Sequence, residues 1–329
     1  MTTTHLLTWQ QQLANGYSNS EQLCQYLQLS PQQLAISHST NFALRVPQSF
    51  VDCMEKGNPN DPLLRQVLPI NDELNVYQGF NNDPVGDLAA MPLSGVLHKY
   101  QGRVLLMTTG SCAINCRYCF RRNFPYNQHQ LSKHKQQLAL KLIANDDSIH
   151  EVILSGGDPL LLSDSRLLAI IEQLNTIPHL KRLRIHSRLP IVLPARINPE
   201  FIKTLKQSKH QLIIVIHCNH PNELSNEVTQ ACTLLKQAGI QLLNQTVLLK
   251  GVNDNANSLI KLSEQLFANG VLPYYLHLLD KAQGTGHFEV DEITAIHLTQ
   301  QLQQQLSGYL VPKLVREIAG EQSKTLIHF

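Results

Sequence analysis

Three cysteines fall within eight residues, Cys112, Cys116 and Cys119, in the run SCAINCRYCFRR. Thiolates are the usual ligands of iron–sulfur clusters, and three ligands on a four-iron cluster leave one iron able to bind something other than protein. Such a vacancy points to chemistry rather than electron storage. Zinc is the competing reading, but a structural zinc site closes with four ligands and draws on a second pair that is not present here. The other cysteines, Cys24, Cys53, Cys218 and Cys232, stand singly and suit small buried apolar positions. Seven is an odd number, and a 329-residue chain can build an ordinary core without disulfides, so the thiols imply a reducing compartment.

Chemistry of that kind needs a scaffold that gathers distant groups. From about residue 100, short β-rich runs (Arg103–Thr109, Glu151–Leu154, Arg182–His186, Leu212–Ile216, Gln241–Leu248, Pro273–Leu278) alternate with helical stretches. The latter are Lys133–Ala144, Ser165–Leu174, Pro199–Lys206, Glu227–Ala238, Ser258–Ala268 and Glu292–Leu306. The alternation predicts βα units on a parallel sheet, with Gly239 and Gly270 ending helices. Each strand runs into a polar tail: the cysteine loop, SGGDP, HSRLP, HCNHP, QTVLLKGVND and HLLDKAQGTGH. Loops beyond the carboxyl ends of parallel strands build active sites, so the six tails are expected to converge on one mouth. In SGGDP the paired glycines let backbone approach a ligand closely, although a simple turn is the plainer reading of two glycines alone.

Composition bounds the rest. With 43% hydrophobic and 16% charged residues and no compositional break, the chain suits one large α/β domain with appendages. A formal net charge of +2 without a long basic run argues against nucleic acid as a partner. No apolar stretch reaches the roughly 18 residues of a membrane span, and Met1–Gly16 lacks the features of a signal peptide, so a cytoplasmic protein is expected. Gln-rich stretches at Leu6–Leu13 and Ser20–Leu29 predict a helical cap over residues 1–97 that leans on a barrel over 98–329. In that cap Leu6, Trp9, Leu13, Leu23, Tyr26 and Leu27 are expected to pack.

The spacing C-x3-C-x2-C followed by an aromatic, Cys112 to Phe120, resembles that of the radical S-adenosylmethionine (SAM) enzymes. The resemblance implies a [4Fe–4S] cluster on the three cysteines, SAM at the fourth iron, a 5′-deoxyadenosyl radical and a partial (β/α)6 barrel. Ser155, Gly156, Gly157 and Asp158 then match the segment that binds the SAM amino group, with the Asp158 carboxylate contributing there.

Longer phrases are similar to one branch, the lysine 2,3-aminomutases, which add pyridoxal phosphate (PLP). They are NPNDPLLRQ (58–66), HKYQGRVLLMTTGSCAINCRYCFRR (98–122), ILSGGDPLL (153–161), RIHSRLPIVLPARI (184–197), HCNHPNEL (217–224), NQTVLLKGVND (244–254) and YYLHLLDKAQGTGHF (274–288). By this likeness Lys324 holds PLP as a Schiff base, Arg103 contacts the PLP phosphate and Tyr100 neighbours its ring. His217 and Gln245 hydrogen-bond SAM, Arg121 grips the substrate carboxylate, and Asp280 and Glu317 bind the distal ammonium of lysine. The branch carries several glycines before the PLP lysine, where only Gly320 stands here, and Glu317 is one methylene longer than the aspartate it matches. Taken singly, the same residues read as a solvated lysine, surface ion pairs and satisfied core polar groups.

The implied reaction turns free L-lysine into β-lysine, with an external electron donor reducing the cluster. The chain ends at Phe329, close behind Lys324, where larger aminomutases continue into a zinc-binding tail. That ending resembles the compact bacterial enzymes whose β-lysine a separate ligase attaches to translation elongation factor P. Three alternatives stay open: an aminomutase for another amino acid, a PLP-independent radical SAM enzyme, and a non-catalytic metal-binding module.

Overall fold

The computed structural model describes residues 7–39, 42–129 and 133–328. A nine-stranded sheet organises it, in simple sequence order and without closure between its two edges. β1 (Val96–Tyr100) pairs antiparallel with β2 (Arg103–Thr109). Then β3 (Glu151–Gly156), β4 (Arg182–Ser187), β5 (Gln211–Ile216), β6 (Gln241–Val247), β7 (Val271–His277) and β8 (Lys313–Arg316) each add in parallel. β9 (Thr325–Leu326) turns back antiparallel along β8. The six expected strands correspond to β2–β7. β8 is a further parallel strand, and its four residues KLVR are too short to show a period in sequence.

Parallel neighbours require a crossover, and helices supply it. Asp164–Leu174 buries Leu167, Ile170, Ile171 and Leu174, the i, i+3, i+4, i+7 stripe of a helix with one core face. Ser163, Asn198, Ser225, Asn255 and Asp291 cap the helices that follow them, each side chain accepting from a first-turn N–H. Gly239 and Gly270 follow two helix ends with φ of +79° and +76°, as expected of helix-ending glycines. No helix among the described residues is long and apolar enough to cross a membrane.

Residues before β1 form short helices joined by irregular segments, and their apolar side chains do not make a core of their own. Leu23, Leu27, Phe50, Leu63 and Leu64 belong to the same buried cluster as Ile185, Phe201 and Ile214 of the sheet region. Trp9 and Leu13 pack against that cluster, and the Trp9 ring lies 4.7 Å from the Arg196 guanidinium. The expected junction at 97/98 falls inside β1. Leu6 lies outside the described residues.

The segment after β3 is sewn to the loop after β2: Gly157 N–H donates to Thr109 O (2.7 Å) and Asp158 N–H to Ser111 O (2.8 Å). A Cβ on Gly157 would stand 2.3 Å from Ser111 O, so the approach admits glycine alone. Gly157→Ala is expected to cost about 1–3 kcal/mol by overpacking and to displace the cysteine loop. Gly239→Ala, with open space around it, carries only about 1–2 kcal/mol of left-handed strain. Urea unfolding, with iron content after anaerobic reconstitution, checks both. Normal iron uptake by Gly157→Ala would refute the proposed coupling of the two loops.

Candidate active site

The cysteine loop has no regular structure, so side chains and neighbouring backbone must hold it. Asn115 N–H donates to Arg45 O (2.9 Å), Arg117 N–H to Gln66 O (2.8 Å) and Cys119 N–H to Cys116 O (3.0 Å). Arg117 is fully buried, its Nε donating to Glu73 Oε1 at 2.7 Å and its Nη1 to Phe42 O at 2.6 Å. Arg122 joins the same carboxylate and donates to Gly284 O at 2.8 Å. Burial opposes the charge on Glu73, but the two guanidiniums outweigh it and hold that carboxyl below its usual range.

None of the seven cysteines is in a disulfide; Cys24, Cys218 and Cys232 are buried in the apolar core. Burial pushes the Cys112 thiol far up and Cys119 up to about 11, an effect that coordination to a metal reverses. Among the described residues no three His, Cys, Asp or Glu side chains converge as a single bound ion requires. A cluster spreads its thiolates over separate iron atoms and does not ask for that convergence.

Alternate residues of the parallel strands face one cavity of about 540 Å³, within the usual range for a small-molecule site. Tyr100, Arg103, Arg121, Ser155, His217, Gln245, Asp280, Glu317 and Lys324 all line it. The tails after β2 to β7 therefore do meet. Gly156, Gly157, Asp158 and the three cysteines are not on its wall, although Phe120 and Arg121 of the cysteine loop are. The expected role of Asp158 at a ligand amino group is not what its surroundings provide. Its buried carboxylate accepts from Ser187 Oγ (2.7 Å) and the backbone N–H groups of Arg188 (2.8 Å), Leu160 (3.0 Å) and Leu189 (3.1 Å). Four donors leave it a tie between the ends of β3 and β4.

Lys324 reaches the cavity because β9 returns along β8. Arg316 pairs with Thr325, so the next positions outward are Glu317 and Lys324, and Lys324 Nζ donates to Glu317 Oε2 at 2.7 Å. Gly320, at φ +87°, lies in the intervening loop. The other oxygen of Glu317 accepts from Lys99 Nζ (2.9 Å). Lys99 also pairs with Asp87 (2.6 Å), whose second oxygen accepts from Arg121 Nε (2.7 Å). Arg121, Asp87, Lys99, Glu317 and Lys324 thus form a row of alternating charge. Burial disfavours the Glu317 carboxylate, yet Lys324 and Lys99 draw its pKa well below the ordinary range. Asp280 makes no ion pair among the described residues, and burial followed by repulsion from Glu317 pushes it up to about 7.

Other wall groups have unmet hydrogen-bonding capacity. The Nε2 atoms of His186, His217 and His277 are buried without partners, as is Arg184 Nε. Burial brings His217 down to about 3 and lowers the other two imidazoles strongly, so all three are neutral at pH 7. Arg103, Arg182, Arg184 and Lys313 give one part of the cavity a net basic wall, in which Glu151 pairs with Arg182 (2.9 Å) and with Arg184. Such groups fit a polar, phosphorylated ligand. Sequence reasoning assigned no role to Asp87, Lys99, His186 or His277. The two histidines stood in tails already singled out, but Asp87 offered no signal, since its partners are brought in by tertiary contacts.

An open parallel sheet, a three-cysteine loop beyond its first parallel strand and a polar lumen define a radical SAM enzyme, and residues 106–262 match the radical SAM superfamily. Over 320 residues the chain is 49% identical to the L-lysine 2,3-aminomutases of Escherichia coli (96% of this chain, 93% of that one) and Haemophilus influenzae (97% and 95%). It is 36% identical to that of Clostridium subterminale (96% and 77%). The chain belongs to the lysine 2,3-aminomutase family of radical SAM isomerases. Among solved structures, a radical SAM methyltransferase from Sphaerobacter thermophilus matches with a TM-score of 0.49 at 13% identity, covering 67% of this chain and 68% of its own, a likeness too distant to carry the assignment.

Asp280 gives this site a signature in stability. A carboxyl whose pKa rises from near 4 unfolded to about 7 folded binds its proton more tightly in the native state, so it weakens the fold progressively as pH climbs from about 4 to 7. Cofactor-free Asp280→Asn should melt above wild type at pH 8, and the gap should shrink toward pH 4. A gap that does not depend on pH would show the shift is absent.

Proposed function

We propose that this protein is an L-lysine 2,3-aminomutase, moving the α-amino group of L-lysine to the adjacent carbon. The observation that carries the reading is the charge pattern of one cavity: Lys324 and a basic wall for PLP, Arg121 for a carboxylate, and Asp280 with Glu317 for a distal cation. SAM at a [4Fe–4S] cluster supplies a deoxyadenosyl radical, and PLP supplies a ring that delocalises the unpaired electron during nitrogen migration. Cys112, Cys116 and Cys119 would hold the cluster. Ser155, His217 and Gln245 would contact SAM, with the unpaired Nε2 of His217 the clearest vacant partner. Lys324 would carry PLP covalently, with Arg103 and the unpaired Nε of Arg184 toward its phosphate and Tyr100 beside the ring.

The chain's own residues then select the substrate. Asp87 takes Arg121 Nε, which leaves the terminal nitrogens of that fork for the substrate carboxylate. When Lys324 leaves Glu317, Oε2 is vacated, and the substrate ammonium can take the place of the lysine's own. Its arrival beside Asp280 favours the ionised carboxylate there, so both acids face one cation. The strands around the cavity hold the reacting groups in contact. The proposal extends to the product's destination, attachment to elongation factor P by a separate ligase, which rests on the family resemblance alone.

Anaerobic reconstitution, then incubation with L-lysine, SAM, PLP and a reductant, tests this by chiral analysis of the amino acids formed. β-Lysine is expected, and its hand reports which face Glu317 presents. Lys324→Ala and Cys116→Ala should each reduce turnover at least about 100-fold. Asp280→Asn and Glu317→Gln should raise the KM for lysine about 10-fold or more. Lysine turnover that survives alanine at both acids would refute the ammonium subsite.

A further inference from the structure

Arg188, just past β4, is a buried cation that none of the steps above uses. Its Nη1 lies 2.8 Å from Cys116 Sγ, and its Nη2 donates to Gln66 Oε1 (2.6 Å) and to Glu223 Oε2 (3.2 Å). The guanidinium sits 5.2 Å from the Phe50 ring and 5.4 Å from that of Tyr118. Glu223 is also buried, and its Oε1 accepts from Gln66 Nε2 (2.9 Å), His220 N–H (3.0 Å) and Asn219 N–H (3.1 Å). Burying a cation and an anion together is costly, and well-packed apolar residues would often serve the fold as well. Here the pair is kept at one place, with the cation pointed at a sulfur.

We infer that Arg188 is a positioning residue that sets the reduction potential of the cluster through Cys116, and that Glu223 trims its effect. The inference rests on the cluster held by the three cysteines and not on the choice of substrate. Reduction adds one negative charge to the centre. A fixed donor and positive charge against a ligand sulfur stabilise the reduced form and raise the potential; hydrogen bonds to cluster sulfurs are a recognised control of it. Glu223, on the other arm of the same guanidinium, opposes that field. The low dielectric of a buried site enlarges both effects. The two residues must therefore act with opposite sign, which general loosening of the loop would not produce.

The test is a redox titration of the anaerobically reconstituted protein, with dithionite and mediators, followed by electron paramagnetic resonance without substrate. Arg188→Gln is expected to move the midpoint to more negative potential by at least a tenfold change in the reduction equilibrium, about 59 mV for one electron. Glu223→Gln is expected to move it the other way, and Arg188→Lys to lie between wild type and Arg188→Gln. A cluster-loaded Arg188→Gln with an unchanged or more positive midpoint would overturn the inference. If Arg188→Gln fails to retain iron and sulfide, Glu223→Gln decides, because it leaves the guanidinium in place; an unmoved or more negative midpoint there counts against it. Wild-type protein that takes up no [4Fe–4S] cluster would overturn the cluster assignment itself, a failure distinct from loaded variants that share one potential.

Discussion

The buried pairing of Arg117 with Glu73 is the constraint on which the mouth of the barrel depends. A loop of three thiols without helix or strand has little reason of its own to adopt one shape, and ordering it costs about 1–2 kcal/mol of backbone entropy per residue. Between Cys116 and Tyr118 the chain buries a guanidinium, and a buried cation tolerates only positions where its counter-charge is met. Glu73 supplies that charge from the segment before β1, and Arg45 and Gln66 of the same region accept the loop's backbone N–H groups. The N-terminal region is thus the clamp on the cysteine loop as well as part of the core beneath it.

The sheet contributes direction. Parallel strands in sequence order send every tail to the same end, and a side-chain period of two sets polar residues in the lumen while their neighbours pack outward against helices. Because the sheet does not close, its last strand has an unpaired edge, and β9 uses it to carry Lys324 back inside. Two residues of sheet pairing therefore decide whether this lysine faces solvent or the cavity.

Within the lumen, three neutral imidazoles and an arginine nitrogen remain buried without hydrogen bonds among the described residues, in a place where proteins seldom leave them so. Natural sequences break the rule of full satisfaction mainly where a ligand completes the set. The row from Arg121 to Lys324 is the opposite case: every member is paired, and the row runs along the cavity wall from the cysteine loop to the end of the chain's last strand pair.

Local pattern and local chemistry were legible in the chain by itself. The C-x3-C-x2-C run, the six strands with their polar tails, the helices between them and the helix-ending glycines all follow from short-range rules of spacing and backbone freedom. The two family resemblances together named nine residues that line the cavity together. Tertiary structure decided what short-range rules do not reach. Asp158 looked like a ligand contact and is a buried tie with four donors, since its partners come from the end of the next strand. Lys99 and Arg188 stood in phrases already singled out but drew no role, and Asp87 gave no signal at all, because Arg121, Glu317 and Glu223 are brought to them from 34 to 218 residues away. Interactions at such separations depend on where the fold places two side chains, and a one-dimensional pattern records only their identities.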